Sequence, residues 1–460
     1  MPSNKISTRL QSEISVVLAG TEVGIFIPKC ILHNPNTGFK LIPRYTKAID
    51  ITQDFAESYM DATQVVIQIT PKEYMDILDN VQDLECTIIL SAVNPNTNKE
   101  ILSQTPIFIK GSVIAKNQDN LSKMFSGQTV PVNDETRDNG NTFSKNEAVA
   151  DYTFHLIDKK SFDIRHTQIS SILSNVNMEQ VLHWVAQQMG IGKIKIVPPD
   201  NKQVYANFII PPSNISNIFN FFQERYGIYS KGLGYYYSDD TLYMYPQFDT
   251  DRDNSTERGI VRIISIPENE YLGMDHYHVK KEDDIWVMSN TNKIMKSLNA
   301  VGEENSGNVH ISANTDNQRD HSVEIGKDGK VTRKSNVLSV VQMSNKSGSM
   351  NSKSQNIKFV GQRSNIYQST SEMAANDGSI LGCGWNHAMP KSIKPGQVIT
   401  YQYDDTGAIF TTQKGRILTA EYKSQIYPSD KKGVFWIGFN CSLTMFLDPE
   451  KKADDIVAYN

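Results

Sequence analysis

The chain has 460 residues, a formal net charge of -5, 39% hydrophobic and 21% charged residues, and four cysteines. A single core stops growing near ~250 residues, so this length requires several domains, and a mildly acidic surface of mixed sign excludes sequence-independent capture of nucleic acid through counterion release. The N-terminus has no apolar signal core and nowhere do about 18 apolar residues run together, so the sequence predicts a chain made in the cytoplasm that inserts into no membrane by itself.

The first domain is predicted over residues 1–120. Short β-favouring runs at 15–18, 23–27, 39–42, 48–52 and 64–69 are broken by turn residues such as Asn34-Pro35-Asn36. Thr70, Pro71 and Glu73 form the start signal of one helix, a capping box with Pro at the first helical position. Strands at 84–93 and 106–115 follow, and the polar stretch 121–147 reads as a linker.

A compact α+β module is predicted over 148–247, beginning with a strand at 152–157. Asn177 caps a helix with Gln180 at its third position. Met178, Val181, Leu182, Val185 and Met189 line one face, and Gly190 ends it. Ile215, Ile218, Phe219, Phe222 and Tyr226 repeat that spacing, with Ser213 or Asn214 as cap and Gly227 as terminator. Strands at 193–197, 204–210, 228–230 with 235–237, and 241–245 complete a βαββαββ order in which both helices are expected on one sheet.

Residues 248–289 carry strands at 260–266 and 277–279, expected to belong to a second β domain. The stretch 290–354 is rich in Asn, Ser, Lys and Gly, and reads as a low-complexity, disordered insertion with local strands only at 323–325, 330–332 and 337–341. A meander over 355–460 completes the second β domain, with strands at 397–403, 408–412, 416–427 and 434–447 and a turn expected at Lys414-Gly415.

Each cluster that hints at chemistry has a plainer account. Asp249, Asp251 and Asp253 have the spacing of a calcium loop, but Asn254 and Ile260 stand where glycine and a bidentate glutamate are needed, so a solvated interdomain turn is expected. His276 and His278, beside Asp275, share a strand face without a third ligand and read as an exposed or interfacial edge. Cys383 and His387 lie together in what reads as a Gly-rich turn, not at a strand-to-helix elbow with a distant base. The run Tyr235-Tyr236-Tyr237 lacks interleaved cations and reads as strand packing, not a base-stacking platform. The four cysteines, Cys30, Cys86, Cys383 and Cys441, show no zinc or redox spacing and read as buried thiols. The expectation is therefore no catalytic, cofactor or metal site.

The stretch 176–246 resembles the small amino-terminal domain of secretins in its element order and its paired helix-then-glycine pattern. The whole chain is similar to the hub proteins of contractile phage tails and baseplates, most clearly in the residues from Phe219 to Tyr229 and the hairpin that ends at Tyr245. The resemblance implies an α+β, mostly β fold: two β-barrel-like tube domains flanking the module, with a long polar insertion. It implies a structural virion protein acting as a homotrimer that joins the tail tube to the central spike. DNA would pass through its lumen without specific binding. The alternatives are a tail-associated cell-wall hydrolase using Cys383 and His387, or another structural component of the tail.

Overall fold

The computed structural model describes residues 7–20, 22–58, 61–94, 97, 99–115, 149–238, 240–252, 259–267, 276–297, 309–314, 320–325, 331–336, 341–343, 358–360, 365–405, 409–428 and 435–448. It opens with helix α1 (Thr8–Leu18), which takes up the residues 15–18 expected as a strand. The Ser7 side chain accepts from the Leu10 N–H, and Leu10, Ile14 and Val17 recur at helical spacing to form a buried stripe.

The first barrel is built from β1 (Ile25–His33), β2 (Lys40–Leu41), β3 (Tyr45–Asp54), β4 (Glu57–Ser58), β5 (Ala62–Ile69), α2 (Pro71–Asp79), β6 (Glu85–Asn94), β7 (Lys99–Glu100), β8 (Ile107–Ala115) and β9 (Ala150–Ile157). Antiparallel pairing runs β1–β6–β8–β9–β5–β3. Strand alternation sends Cys86, Ile88 and Leu90, Val65 and Ile67, and Tyr152 and Phe154 inward, where all are buried. A register shift between Thr46 and Ala48 flips the parity of β3, so that Ile49 and Ile51 join this core. The expected capping box of Thr70 and Glu73 starts α2. Strand β9, which the sequence assigned to the module, pairs with β5 and β8 and so belongs to this barrel.

The module comprises α3 (Lys159–His166), β10 (Gln168–Asn177), α4 (Met178–Gln188), β11 (Lys193–Ile196), β12 (Val204–Asn214), α5 (Ile218–Arg225), β13 (Leu233–Ser238) and β14 (Thr241–Pro246). From β10 onward the order is again βαββαββ, but its first strand is β10, which the sequence reading did not mark, in place of the expected 152–157; Asn177 with Gln180 forms a full capping box on α4. The single sheet expected beneath both helices is instead two: β10 pairs with β12, while β11, β14 and β13 form another that β4 of the first barrel extends. The helices share one core with both, in which Leu182, Val185, Phe219 and Phe222 meet Phe208, Tyr235 and Met244. Gly190 and Gly227 end the helices at φ +65° and +78°, conformations that favour glycine. A single 3-10 turn, Ile215–Asn217, precedes α5, and Asn214 makes no side-chain cap there. Residues 228–230, expected as a strand, are irregular; Ile228 and Tyr229 are nonetheless buried.

The second barrel uses β15 (Val261–Ile266), β16 (His278–Lys281), β17 (Asp284–Ser297), β23 (Ser379–Trp385), β24 (Val398–Asp405), β25 (Ile409–Pro428) and β26 (Phe435–Leu447). Between β17 and β23 lie β18 (Val309–Asn314), β19 (Asp320–Ile325), β20 (Val331–Asn336), β21 (Val341–Met343), β22 (Lys358–Val360) and α6 (Ile366–Asp377). The strands expected at 323–325 and 330–332 fall in β19 and β20, which pair antiparallel; the linker 121–147 and most of the rest of 290–354 lie outside the described residues. Pairing runs β26–β23–β17–β15–β24–β25 and returns to β26, with β15 parallel to both its neighbours. Ile263 and Ile264 are consecutive and both fully buried because this wall is covered on its outer face by α1. Trp286 Nε1 donates to Glu13 at 3.3 Å on that helix.

The turn expected at Lys414-Gly415 does not exist: β25 runs unbroken through it. A Cβ at Gly415 would lie 2.2 Å from the Phe446 carbonyl oxygen, so the glycine permits close strand approach where the sequence pattern signals a turn. This continuous strand gives the architecture its main feature. The base of the β25–β26 hairpin closes the second barrel between β24 and β23, while its outer half reaches the first barrel. There Tyr422 pairs with Ile51 of β3, and Ile437 pairs with Phe26 of β1. One hairpin thus completes both barrels.

Candidate assembly and channel surface

Because β25 and β26 belong to both barrels, β9, β5, β3, β25, β26 and β23 form one uninterrupted wall along the molecule. A single register row crosses it from Thr52 through Glu421 and Ser442 to Gly384. The inward side of this wall is the core of the barrels, including Ile51, Ala420, Tyr422 and Leu443. The outward side alternates to Thr52, Glu421, Lys423, Gln425, Asn440 and Ser442, all exposed.

These outward groups are tied to one another. Asn440 Nδ2 donates to Gln425 Oε1 at 3.0 Å, Ser424 donates through its N–H to Asp50 at 3.1 Å, and the Ile49 N–H donates to Ser424 Oγ at 2.8 Å. Lys47 Nζ lies 2.7 Å from Asp151 at the first-barrel end. The face is therefore long, hydroxyl- and amide-rich, with its few charges of both signs, and it offers neither a basic track nor a greasy patch.

The module is clamped against this double barrel at two places. At the first, β13 is a seam. Tyr236 enters the first barrel's core, its ring 5.1 Å from Phe55 and its hydroxyl bonded to Asp61, while Tyr235 and Tyr237 on the opposite face enter the module's core. At the second, the acidic stretch after β14 meets the outside of the hairpin. Arg416 is fully buried, donates to the Asp249 carbonyl at 2.7 Å and lies 5.0 Å over the Tyr245 ring. Lys414 pairs with Asp251 at 3.2 Å, Arg252 pairs with Asp249 at 3.0 Å and with Asp200, and Thr250 bonds Asp448.

That second contact corrects the reading of the acidic run as a solvated turn. Asp249 and Thr250 are buried; Asp249 is held by Arg252, Lys231 and Arg416, and the Thr250 hydroxyl donates to the Asp448 carboxylate. The Asp200 carboxyl is disfavoured as an anion by burial, yet hydrogen bonds from Ser230 and Arg252 outweigh this and hold it below the usual range. Asp253 and Asn254 lie outside the described residues.

The histidine strand, expected as an exposed or interfacial edge, does pair on one side only among the described residues, with β17, but His278 is not exposed. His278 is 1% exposed, stands 5.4 Å from the Trp385 ring, and is held down to a pKa of about 3 by burial and by the neighbouring His387 and His276. Among the described residues no group of three or more His, Cys, Asp or Glu side chains is placed to hold a metal ion, and no helix is long and apolar enough to cross a membrane.

Cys383 lies on β23, not in a turn, and is buried in the barrel wall. Burial pushes its thiol up to about 12, although Ser289 bonds to it, and burial also depresses His387. A thiol in that state supplies no thiolate at neutral pH and has no open face toward a substrate. The remaining thiols, Cys30, Cys86 and Cys441, are buried as expected.

Sequence comparison places the chain. The family described as Bacteriophage PBS1 gene 109 protein matches residues 26–368, which span the first barrel, the module and the start of the second barrel. The chain belongs to that family. No curated protein matches the sequence.

Among solved structures, a tail protein from Neisseria meningitidis aligns at 10% identity and TM-score 0.41, over 91% of this chain and 96% of its own. The 43 kDa tail protein of prophage MuSo2 from Shewanella oneidensis aligns at 10% identity and TM-score 0.38, over 91% of this chain and 97% of its own. The c3393 protein of E. coli, described as a component of the type VI secretion system with structural similarity to T4 bacteriophage tail proteins gp27 and gp5, aligns at 9% identity and TM-score 0.38, over 89% and 75%. The mostly β, α+β fold stated from the sequence is the fold described above. The secretin-like reading of the module rests on its element order, and no comparison bears on it.

Proposed function

We propose that this protein is the hub of a phage tail or baseplate: a homotrimer that joins the tail tube to the central spike and lines part of the DNA channel. Membership of a bacteriophage family supports a virion role. The observation that carries the hub reading is the shared β25–β26 hairpin. It fuses two barrels of different strand order into one rigid wall, and two barrels per chain in three copies supply six similar positions, the means by which a threefold ring meets a sixfold tube. The heterologous contacts of a cyclic ring close at a fixed copy number, which keeps the assembly finite.

The outward face of that wall suits a lumen. Its Thr, Ser, Asn and Gln side chains wet the surface, and without clustered Lys or Arg they do not hold phosphates as DNA moves past. The role is structural and not catalytic, in keeping with the buried, protonated state of Cys383. The chain is made in the host cytoplasm and assembles into the tail.

Native mass measurement of the protein with its tail or spike partner, and imaging of the particle, test this. A copy number not divisible by three, or a ring in which α4 and α5 line the channel, overturns it. Zymography on cell walls with a Cys383→Ser control tests the hydrolase alternative, for which clearing that disappears in the variant is required.

A further inference from the structure

All four cysteines of this chain fall into two pairs that obey one geometric rule. Cys30 of β1 sits two residues before Leu32, which faces Cys86 of β6; Cys383 of β23 sits two residues before Trp385, which faces Cys441 of β26. Each pair therefore occupies the same diagonal across an antiparallel strand pair, with all four side chains buried, one pair in each barrel. In the first barrel the two sulfurs touch, with Cys30 Sγ 3.5 Å from Cys86 Sγ.

We propose that Cys30 and Cys86 are a latent disulfide within the first barrel, closed by thiol–disulfide exchange with a small disulfide oxidant once the protein has left a reducing cytoplasm. Closing the bond from the observed contact to the roughly 2.05 Å of a disulfide moves the sulfurs together by about 1.5 Å, through side-chain rotation together with a small approach of β1 and β6 along this diagonal. The two strands are already paired from Phe26–Ala92 to His33–Glu85, so the bond joins segments that are held in register on both sides of it.

The chemistry balances in two steps. One cysteine, as thiolate, attacks a sulfur of the small disulfide, expels a small thiolate and becomes a mixed disulfide. The other, as thiolate, attacks the protein sulfur of that mixed disulfide and expels the second small thiolate. Two protein thiols lose two electrons and two protons, and the oxidant leaves as two small thiols. Contact with Cys30 and burial both push the Cys86 thiol up, so in the closed barrel the pair is inert. Exchange proceeds through opening of β1 against β6, slowly, and the bond once made is shielded in the core. A cytoplasm poised by glutathione keeps such a pair reduced, whereas particles outside the cell meet oxidising conditions.

The test uses full-length protein carrying Cys383→Ala and Cys441→Ala, so that only Cys30 and Cys86 remain. It is equilibrated for days in glutathione buffers stepped from fully reduced to fully oxidised, with sub-denaturing urea to speed strand opening. Quenching, alkylation and intact mass follow. The expected result is a loss of about 2 Da and a single peptide pair joining Cys30 to Cys86, reversed by reductant. A Cys86→Ser variant in the same background should carry one glutathione or one free thiol and no internal link. Two free thiols in oxidised glutathione alone, a persistent mixed disulfide on the parent, or an intermolecular bond overturns the proposal.

Discussion

Replacing Phe439 by Ala probes whether the two barrels are one cooperative body. Phe439 is fully buried in the outer half of β26, with its ring 6.0 Å from Phe26 of β1. Its backbone carbonyl accepts from the Ala388 N–H at 2.7 Å, a bond the substitution leaves in place, so the loss is confined to the ring and its cavity. A Phe→Ala change in such a core costs about 3–5 kcal/mol, against a typical domain stability of about 5–15. If the hairpin were only docked on the first barrel, the cost would fall on β1, β3 and β5. Because β26 continues without a break into the second barrel, opening the first requires displacing a strand on which β23 and β25 depend. Native-state hydrogen exchange read by mass spectrometry should show slow amides of β3 and β5 and of β15 and β23 all accelerating by roughly 10²- to 10⁴-fold. Acceleration restricted to the first barrel, with β15 and β23 unchanged, would refute the shared-hairpin account.

Leu182→Asp or Phe222→Asp, each at a fully buried position of the module core, should unfold the module, because a buried unpaired carboxylate costs several kcal/mol; a well-dispersed amide spectrum over 159–246 in either variant speaks against the core as described. Asp200→Asn tests the clamp. Since the folded carboxyl titrates below its unfolded value, its contribution is present above the unfolded pKa and disappears as pH falls through the folded one. The variant should therefore be less stable than the parent near pH 7 and converge with it in acid, and a constant gap across that range refutes the linkage. His278→Gln tests the opposite kind of group. With the folded imidazole held down to about 3 by burial, the unfolded state takes up the proton first as pH falls below about 6.5, so stability drops on acidification. Denaturant midpoints of the variant between pH 6.5 and pH 4 should be flatter than those of the parent; equal slopes would count against it.

The parts of this molecule that were legible in the sequence are those specified by neighbours along the chain. Asn177 with Gln180, Thr70 with Glu73, and Gly190 and Gly227 at positive φ are local devices, and each stands where its spacing put it. Helix α1 escaped because Ser15-Val16-Val17-Leu18 is β-favouring as a tetrapeptide, and only the longer stripe from Leu10 through Ile14 to Val17 declares a helix. Lys414-Gly415 looked like a turn because glycine's local meaning is a break, whereas its meaning here comes from Phe446 on the facing strand. Strand β9 was given to the module for its position in sequence, while its partners β5 and β8 are set by the barrel. The burial of His278 beneath Trp385 had no local sign, since Tyr277 and Val279 on the opposite face are buried too and only tertiary packing covers both faces of this strand.

The same limit explains why the candidate surface could not be read from the chain. Thr52, Glu421, Asn440 and Ser442 are unremarkable outward residues on strands distant in sequence, and nothing in their spacing brings them together. What aligns them is a hairpin long enough to serve two barrels in succession, and length in a strand is a structural commitment. A β25 that stopped at Gly415 would keep only the Gly415–Leu447 pair with β26 and lose every pair with β3, leaving both barrels open. The unbroken strand closes both, fixes their relative orientation through paired backbone rather than through a side-chain interface, and lays their outward residues in one row. Arg416 and Tyr236 then hold the module against that frame from two directions. The joint between the two barrels is therefore stiff, because backbone ladders resist shear between domains better than a flexible linker can.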